Sequence, residues 1–165
     1  MIVTLTTHAI VGAAITSVFP TQIPFALAAA FASHFLIDAI PHYDYPIRSQ
    51  SVNPLVGAPM KYDKNFWLDA VTIGGDAVLG VAASLLFFAS PQNFWLIFFG
   101  ACAGILPDFL QFIYGRFPKE PLVSLQRFHM WIHTKHKLKK HKVAGTISQL
   151  LFVAAVITMT KILLL

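Results

Sequence analysis

Charge is what this chain has least of. Asp, Glu, Lys and Arg make up 12% of its 165 residues, while 56% are hydrophobic. An ordinary soluble domain carries about 25% charged residues, so a well-solvated globular surface is excluded and a membrane protein is expected. Cysteine is nearly absent as well. The single Cys102 lies inside an apolar run, which excludes a disulfide framework and a cysteine-based zinc site. The opening stretch, MIVTLTTHAIVGAAITSVF, has no Lys or Arg and places a histidine within its apolar part. It lacks the basic head of a cleaved secretory signal and reads as a retained first segment. The net charge of +5 comes without a nucleic-acid-binding motif, so no nucleic-acid partner is expected.

What the chain does have is long apolar segments. Five of them, at about 2–19, 24–41, 66–90, 93–114 and 143–164, approach the 17–25 residues of a membrane-crossing helix. The first two are near the short limit. The expected fold is all-α: a polytopic membrane helical bundle forming one domain over 1–165, with about five transmembrane helices. PTQIP and SPQN make tight connections. LVSLQRFHMWIHTKHKLKKHK reads as an interfacial amphipathic helix. Counting spans puts the 42–65 and 115–142 loops on the same side as residue 1. Of the 12 Lys and Arg, all but Lys161 fall on that side or at its boundary. The positive-inside rule makes it the cytoplasm, with the C-terminus outside. The expected location is the cell inner membrane. The basic 116–142 segment is expected to attract anionic lipid headgroups.

Ionisable groups within spans cost about 2.5–3.5 kcal/mol each at a helix centre. This chain places His8 in segment one, His34 and Asp38 in segment two, Asp69 and Asp76 in segment three, and Asp108 in segment four. All but the deeper Asp76 lie in the cytoplasmic half, where His42, Asp44, His129 and His133 from the loops can join them. His34 and Asp38 are i and i+4 and share a helix face, as do Asp69 and Asp76 at i and i+7. Imidazole with carboxylate is a ligand set for zinc, with manganese or iron as alternatives. The ion would neutralise carboxylates that have no intramembrane Lys or Arg to pair with. Plainer readings stand beside this one. Asp76 in GGD fits a hydrogen-bonded helix contact, Asp69 a solvated interfacial group, and Asp108 a residue tied to the kink at Pro107. His136 and His141, among lysines, read as solvated.

THAIVGAAI, SHFLIDAIPHYD, LPD and HMWIHT, in that order over about residues 7–134, resemble the inner-membrane-associated, LexA-binding metal-dependent hydrolases. The resemblance implies a small multi-span protein whose metal is held at His8, His34, Asp38, Asp108 and His133. HFLIDAIPH is also similar to the H-x-x-x-D helix of zinc-dependent phospholipase C, with His34, Asp38, Pro41 and His42 in comparable places. His133 follows His129 at i+4, where those enzymes carry Glu.

The resulting expectation is a metal-dependent hydrolase of phosphoesters or phospholipid-like substrates. Its metal ligands would come from His8, His34, Asp38, His42, Asp76, Asp108, His129 and His133, with Asp38, Asp76 and His133 in catalytic roles. Two other classes fit the same residues: a divalent-cation or proton transporter, and a non-catalytic scaffold with a structural metal site. A transporter needs polar groups continuing to the far side, where little more than Thr16 and Ser17 is found.

Overall fold

The computed structural model describes residues 5–40, 47–49, 62–133 and 142–165. The candidates His42, Asp44, His136 and His141 lie outside the described residues. The fold is all-α: α1 (Leu5–Val18), α2 (Ile23–Asp38), α3 (Lys64–Phe88), α4 (Phe94–Arg116), α5 (Leu122–Ile132) and α6 (Lys142–Leu163). No strand occurs among the described residues.

Local chemistry accounts for the helix boundaries. α2 starts with Pro24 in its first turn, where a missing N–H costs nothing. The Asp63 carboxylate caps α3 by accepting from the N–H groups of Asn65 (2.9 Å) and Phe66 (3.1 Å). Between α3 and α4, Asn93 Oδ1 accepts from Ser90 N–H at 2.6 Å and its Nδ2 donates to the Phe88 carbonyl at 3.2 Å. That tight closure sets α3 and α4 side by side.

Three helices are long and apolar enough to cross a membrane: α3, α4 and the Gly145–Leu163 part of α6. Their outer faces expose Val71, Val78, Leu79 and Leu86 on α3, Trp95, Phe99 and Phe109 on α4, and Leu150, Leu151 and Met159 on α6. So extended an apolar surface belongs in lipid. α1 and α2 have 14 and 16 residues. At 1.5 Å per residue they rise roughly 20–25 Å, less than a hydrocarbon core of about 30 Å.

α1 is the hub. It packs on α2, α3, α4 and α6, and its Ala9, Ile10, Ala13 and Ala14 form the core with Phe88, Ile97 and Ala101. Small residues let α4 come close. A Cβ on Gly104 would lie 2.3 Å from the His8 carbonyl oxygen, and one on Gly12 would lie 2.3 Å from that of Gly100. The pair Gly100 and Gly104, four residues apart, thus packs on the stripe His8, Gly12 and Thr16, giving a backbone-to-backbone crossing that no larger residue permits.

Candidate metal centre

That crossing delivers His8 to the end of α2. From there, four helices converge: His8 comes from α1, His34 and Asp38 from α2, Asp108 from α4 and His129 from α5. Asp38 is the common partner. Its Oδ1 lies 3.3 Å from His8 Nε2, and its Oδ2 lies 3.1 Å from His34 Nε2 and 2.7 Å from His129 Nε2. Asp108 Oδ1 approaches His34 Nε2 to 3.5 Å. The His8 and His34 rings stack with centroids 3.9 Å apart. Phe35 packs edge-on against both His34 and His129.

His8, His34, Asp38 and His129 are all buried, whereas the Asp108 side chain is 37% exposed. The centre is therefore walled on most sides and open at Asp108. His129 Nε2–H donates a hydrogen bond to Asp38. His34 Nε2 is buried without a hydrogen-bond partner, and so is His8 Nδ1, on the ring edge away from the Nε2 that faces Asp38. An unpaired buried polar atom costs about 1–3 kcal/mol, so His34 Nε2, 3.1 Å from a buried carboxylate, calls for an explanation.

A metal ion provides one. Donors about 2.0–2.1 Å from a tetrahedral zinc stand roughly 3.3 Å from one another. The 3.1, 3.3 and 3.5 Å separations bracket that value. The tautomer of His34 agrees. Its Nδ1–H donates to the Gly104 carbonyl at 2.9 Å, so the neutral ring carries its lone pair on Nε2, facing the two carboxylates, as a metal-binding imidazole requires. Pro107 loosens this turn of α4, because it has no N–H for the ladder.

Two triads have ligand geometry: His8, His34 and Asp38, and His34, Asp108 and His129. Both need His34. One Nε2 lone pair serves one ion, and Nδ1 is engaged with Gly104, so the triads describe two sides of a single centre.

The expected convergence of four helices is present, with α5 in place of α3. The α3 carboxylates serve backbone instead. Asp69 is buried and accepts from the N–H groups of Arg48 (2.7 Å) and Ser49 (2.8 Å) and from Arg48 Nη1 (3.2 Å), so the plainer reading of a solvated group does not hold. Asp76 is in neither triad. Its carboxylate accepts from Thr6 Oγ1 at 2.7 Å and Thr6 N–H at 3.2 Å, in the first turn of α1. It acts as an N-terminal cap supplied by a neighbouring helix. Asp76→Ala should destabilise the protein by about 1–2 kcal/mol, the usual cost of a lost cap, with metal stoichiometry unchanged. A fall in bound metal, measured by mass spectrometry on folded variant, would return Asp76 to the centre. His133 ends α5 with its ring centroid 5.9 Å from that of His129, and it too is in neither triad.

Two contributors escaped the motif reading: the Gly104 carbonyl and the close crossing at Gly12. Gly100-x-x-x-Gly104 spacing was a usable sign of the crossing. No family model matches the chain, and neither the curated proteins nor the solved structures contain a match to it.

Proposed function

We propose that this chain is a membrane-embedded, metal-dependent hydrolase acting on a phosphoester, such as a phospholipid-like substrate, at the cytoplasmic face of the inner membrane. One observation carries the reading: three imidazoles and two carboxylates from four helices converge at ligand spacing with the unpaired His34 Nε2 among them. Zinc, or alternatively manganese or iron, would be held by His8, His34 and Asp38, with Asp108 beside His34 on the exposed side. Such an ion supplies Lewis acidity, lowering the pKa of water toward about 7 and polarising a phosphoryl oxygen.

The chain's own residues do the rest. The Gly104 carbonyl holds the His34 proton on Nδ1. His129 donates its Nε2–H to Asp38 and so orients the carboxylate. Phe35, packed edge-on against both, shields the His34 and His129 rings from water. The exposed side at Asp108 supports catalysis over a closed structural site, since catalytic metals keep an open position.

The outer face of α5 exposes Phe128, Met130 and Trp131 beside Arg127, a composition suited to a helix lying in the headgroup layer. In this reading α1 to α4 and α6 span the membrane, with the N-terminus and the basic 116–142 segment cytoplasmic and facing anionic headgroups. Transport is disfavoured. Thr16 Oγ1 donates to the Gly12 and Ala13 carbonyls and Ser17 Oγ to that of Ala14, so these polar groups of α1 are spent within their own helix.

The test is metal content after dialysis of detergent-purified protein against metal-free buffer, followed by phosphoester hydrolysis. One tightly held ion per chain with hydrolysis is the expected result. A folded protein that stays empty after exposure to zinc, manganese and iron would sink the reading. Bound metal without hydrolysis of any phosphoester would leave a structural site.

A further inference from the structure

α5 buries two residues fully, and His129 is only one of them. The other is Gln126, 3% exposed, whose amide Nε2 has no hydrogen-bond acceptor. The two stand three residues apart and share one face of the helix. α5 packs on α2 and α4, the helices that carry His34, Asp38 and Asp108. A leucine would fill this position without the desolvation penalty that an unpaired amide donor carries.

The centre lacks what Gln126 offers. Asp38 and Asp108, as carboxylates, only accept hydrogen bonds. The His34 Nδ1–H is given to Gly104 and the His129 Nε2–H to Asp38. Arg127, the next residue, is exposed. Among the described residues of the centre, the ring N–H that remains without an acceptor is His8 Nδ1, on the ring edge away from the Nε2 that faces Asp38, so a ligand bringing several acceptor oxygens would take its donor from α5.

We infer that Gln126 donates its Nε2–H to an oxygen of a phosphate-type oxyanion bound at the His8, His34 and Asp38 centre. This rests on the metal-centre reading above and adds the ligand class and the residue that recognises it. A neutral amide suits the task. It fixes one oxygen by direction rather than by charge, leaving charge neutralisation to the ion. The oxyanion can belong to a lipid headgroup or to a soluble phosphate ester.

The experiment titrates zinc-loaded wild type and Gln126→Met, in detergent, with inorganic phosphate by calorimetry, with zinc stoichiometry measured on the same samples. Methionine keeps the length and volume of glutamine and removes the donor. Gln126→Glu, of the same shape but an acceptor, is the second variant and covers any failure of the first to fold. The expected result is unchanged zinc with phosphate affinity reduced about tenfold or more in both variants, the scale of one lost hydrogen bond to a charged group. Competition against phosphate then separates the sources. Phosphatidic acid in mixed micelles displacing phosphate better than glycerol phosphate assigns a lipid headgroup, and the reverse assigns a soluble ester. Either order supports the donor role. Zinc retained with phosphate affinity equal to wild type overturns the assignment of Gln126 alone, as does a zinc-loaded wild type that binds no phosphate. A wild type that takes up no zinc, manganese or iron overturns the metal centre and this inference with it.

Discussion

Asp38→Asn should leave the protein folded and strip it of metal. Asp38 touches three imidazoles at once, at 2.7, 3.1 and 3.3 Å. In the variant the shape is kept: the amide oxygen can still accept from His129 Nε2–H, with the NH2 group turned to the Oδ1 position toward His8 Nε2. The packing of α2 on α1 and α4 is therefore undisturbed. What is lost is the buried carboxylate shared by His8 and His34, and with it the negative charge that makes a dry site attractive to a divalent cation. Removing even an outer-shell partner of a metal ligand typically costs 10–100-fold in affinity, so losing this ligand should weaken zinc binding by about 100-fold or more. The linked stability changes too. A ligand present at about 100 times its dissociation constant stabilises the folded state by about 2.7 kcal/mol. Added zinc should raise the thermal midpoint of wild type in detergent and leave that of Asp38→Asn unmoved. An equal rise in both would mean that Asp38 is not a ligand.

How much of this centre could be read without coordinates varies by residue, for identifiable reasons. His34 and Asp38 were legible because i, i+4 spacing on a helix fixes a shared face whatever the tertiary structure. The α-helical class was legible because apolar runs long enough to cross a bilayer have few other solutions. The boundaries of α1 and α2 were less so. Apolar composition extends to residues 19 and 41, whereas α1 ends at Val18 and α2 at Asp38; α1, enclosed by its neighbours, need not match the bilayer. The partners of the carboxylates were hidden. Asp69, Asp76 and Asp108 occupy similar apolar contexts, yet the first binds the backbone of Arg48 and Ser49, the second caps α1 at Thr6, and only the third reaches His34. Helix rotation and neighbour identity decide that outcome, and neither is encoded in local spacing. His129 and His133 differ for the same reason. They lie about one turn apart, and the direction in which α5 docks on α2 and α4 buries the first against Asp38 while leaving the second beside it.

Gly104→Val should cost the most of any single change, because it attacks fold and centre together. The new Cβ would lie 2.3 Å from the His8 carbonyl oxygen, 3.0 Å from the His8 carbonyl carbon and 3.4 Å from the Gly12 Cα. All three are backbone atoms, so no side chain can swing aside and α1 must retreat from α4. That retreat draws His8 away from Asp38. It also strains the hydrogen bond from His34 Nδ1 to the Gly104 carbonyl, the contact that selects the metal-binding tautomer. Overpacking with flexible neighbours costs about 1–3 kcal/mol. A β-branched residue against rigid backbone should reach or exceed the upper end of that range, with bound metal falling in parallel. Gly75→Ala is the control. Gly75 sits on the exposed face of α3 with nothing within 4 Å of the added carbon, so the substitution should be neutral or stabilising by up to about 1 kcal/mol through helix propensity. Thermal unfolding in detergent together with zinc stoichiometry reads both variants. A Gly104→Val protein with native stability and full zinc would mean that the α1–α4 crossing does not place His8. A variant that folds but loses zinc would separate the two roles of the crossing, making Gly104 a determinant of the centre beyond its place in the packing.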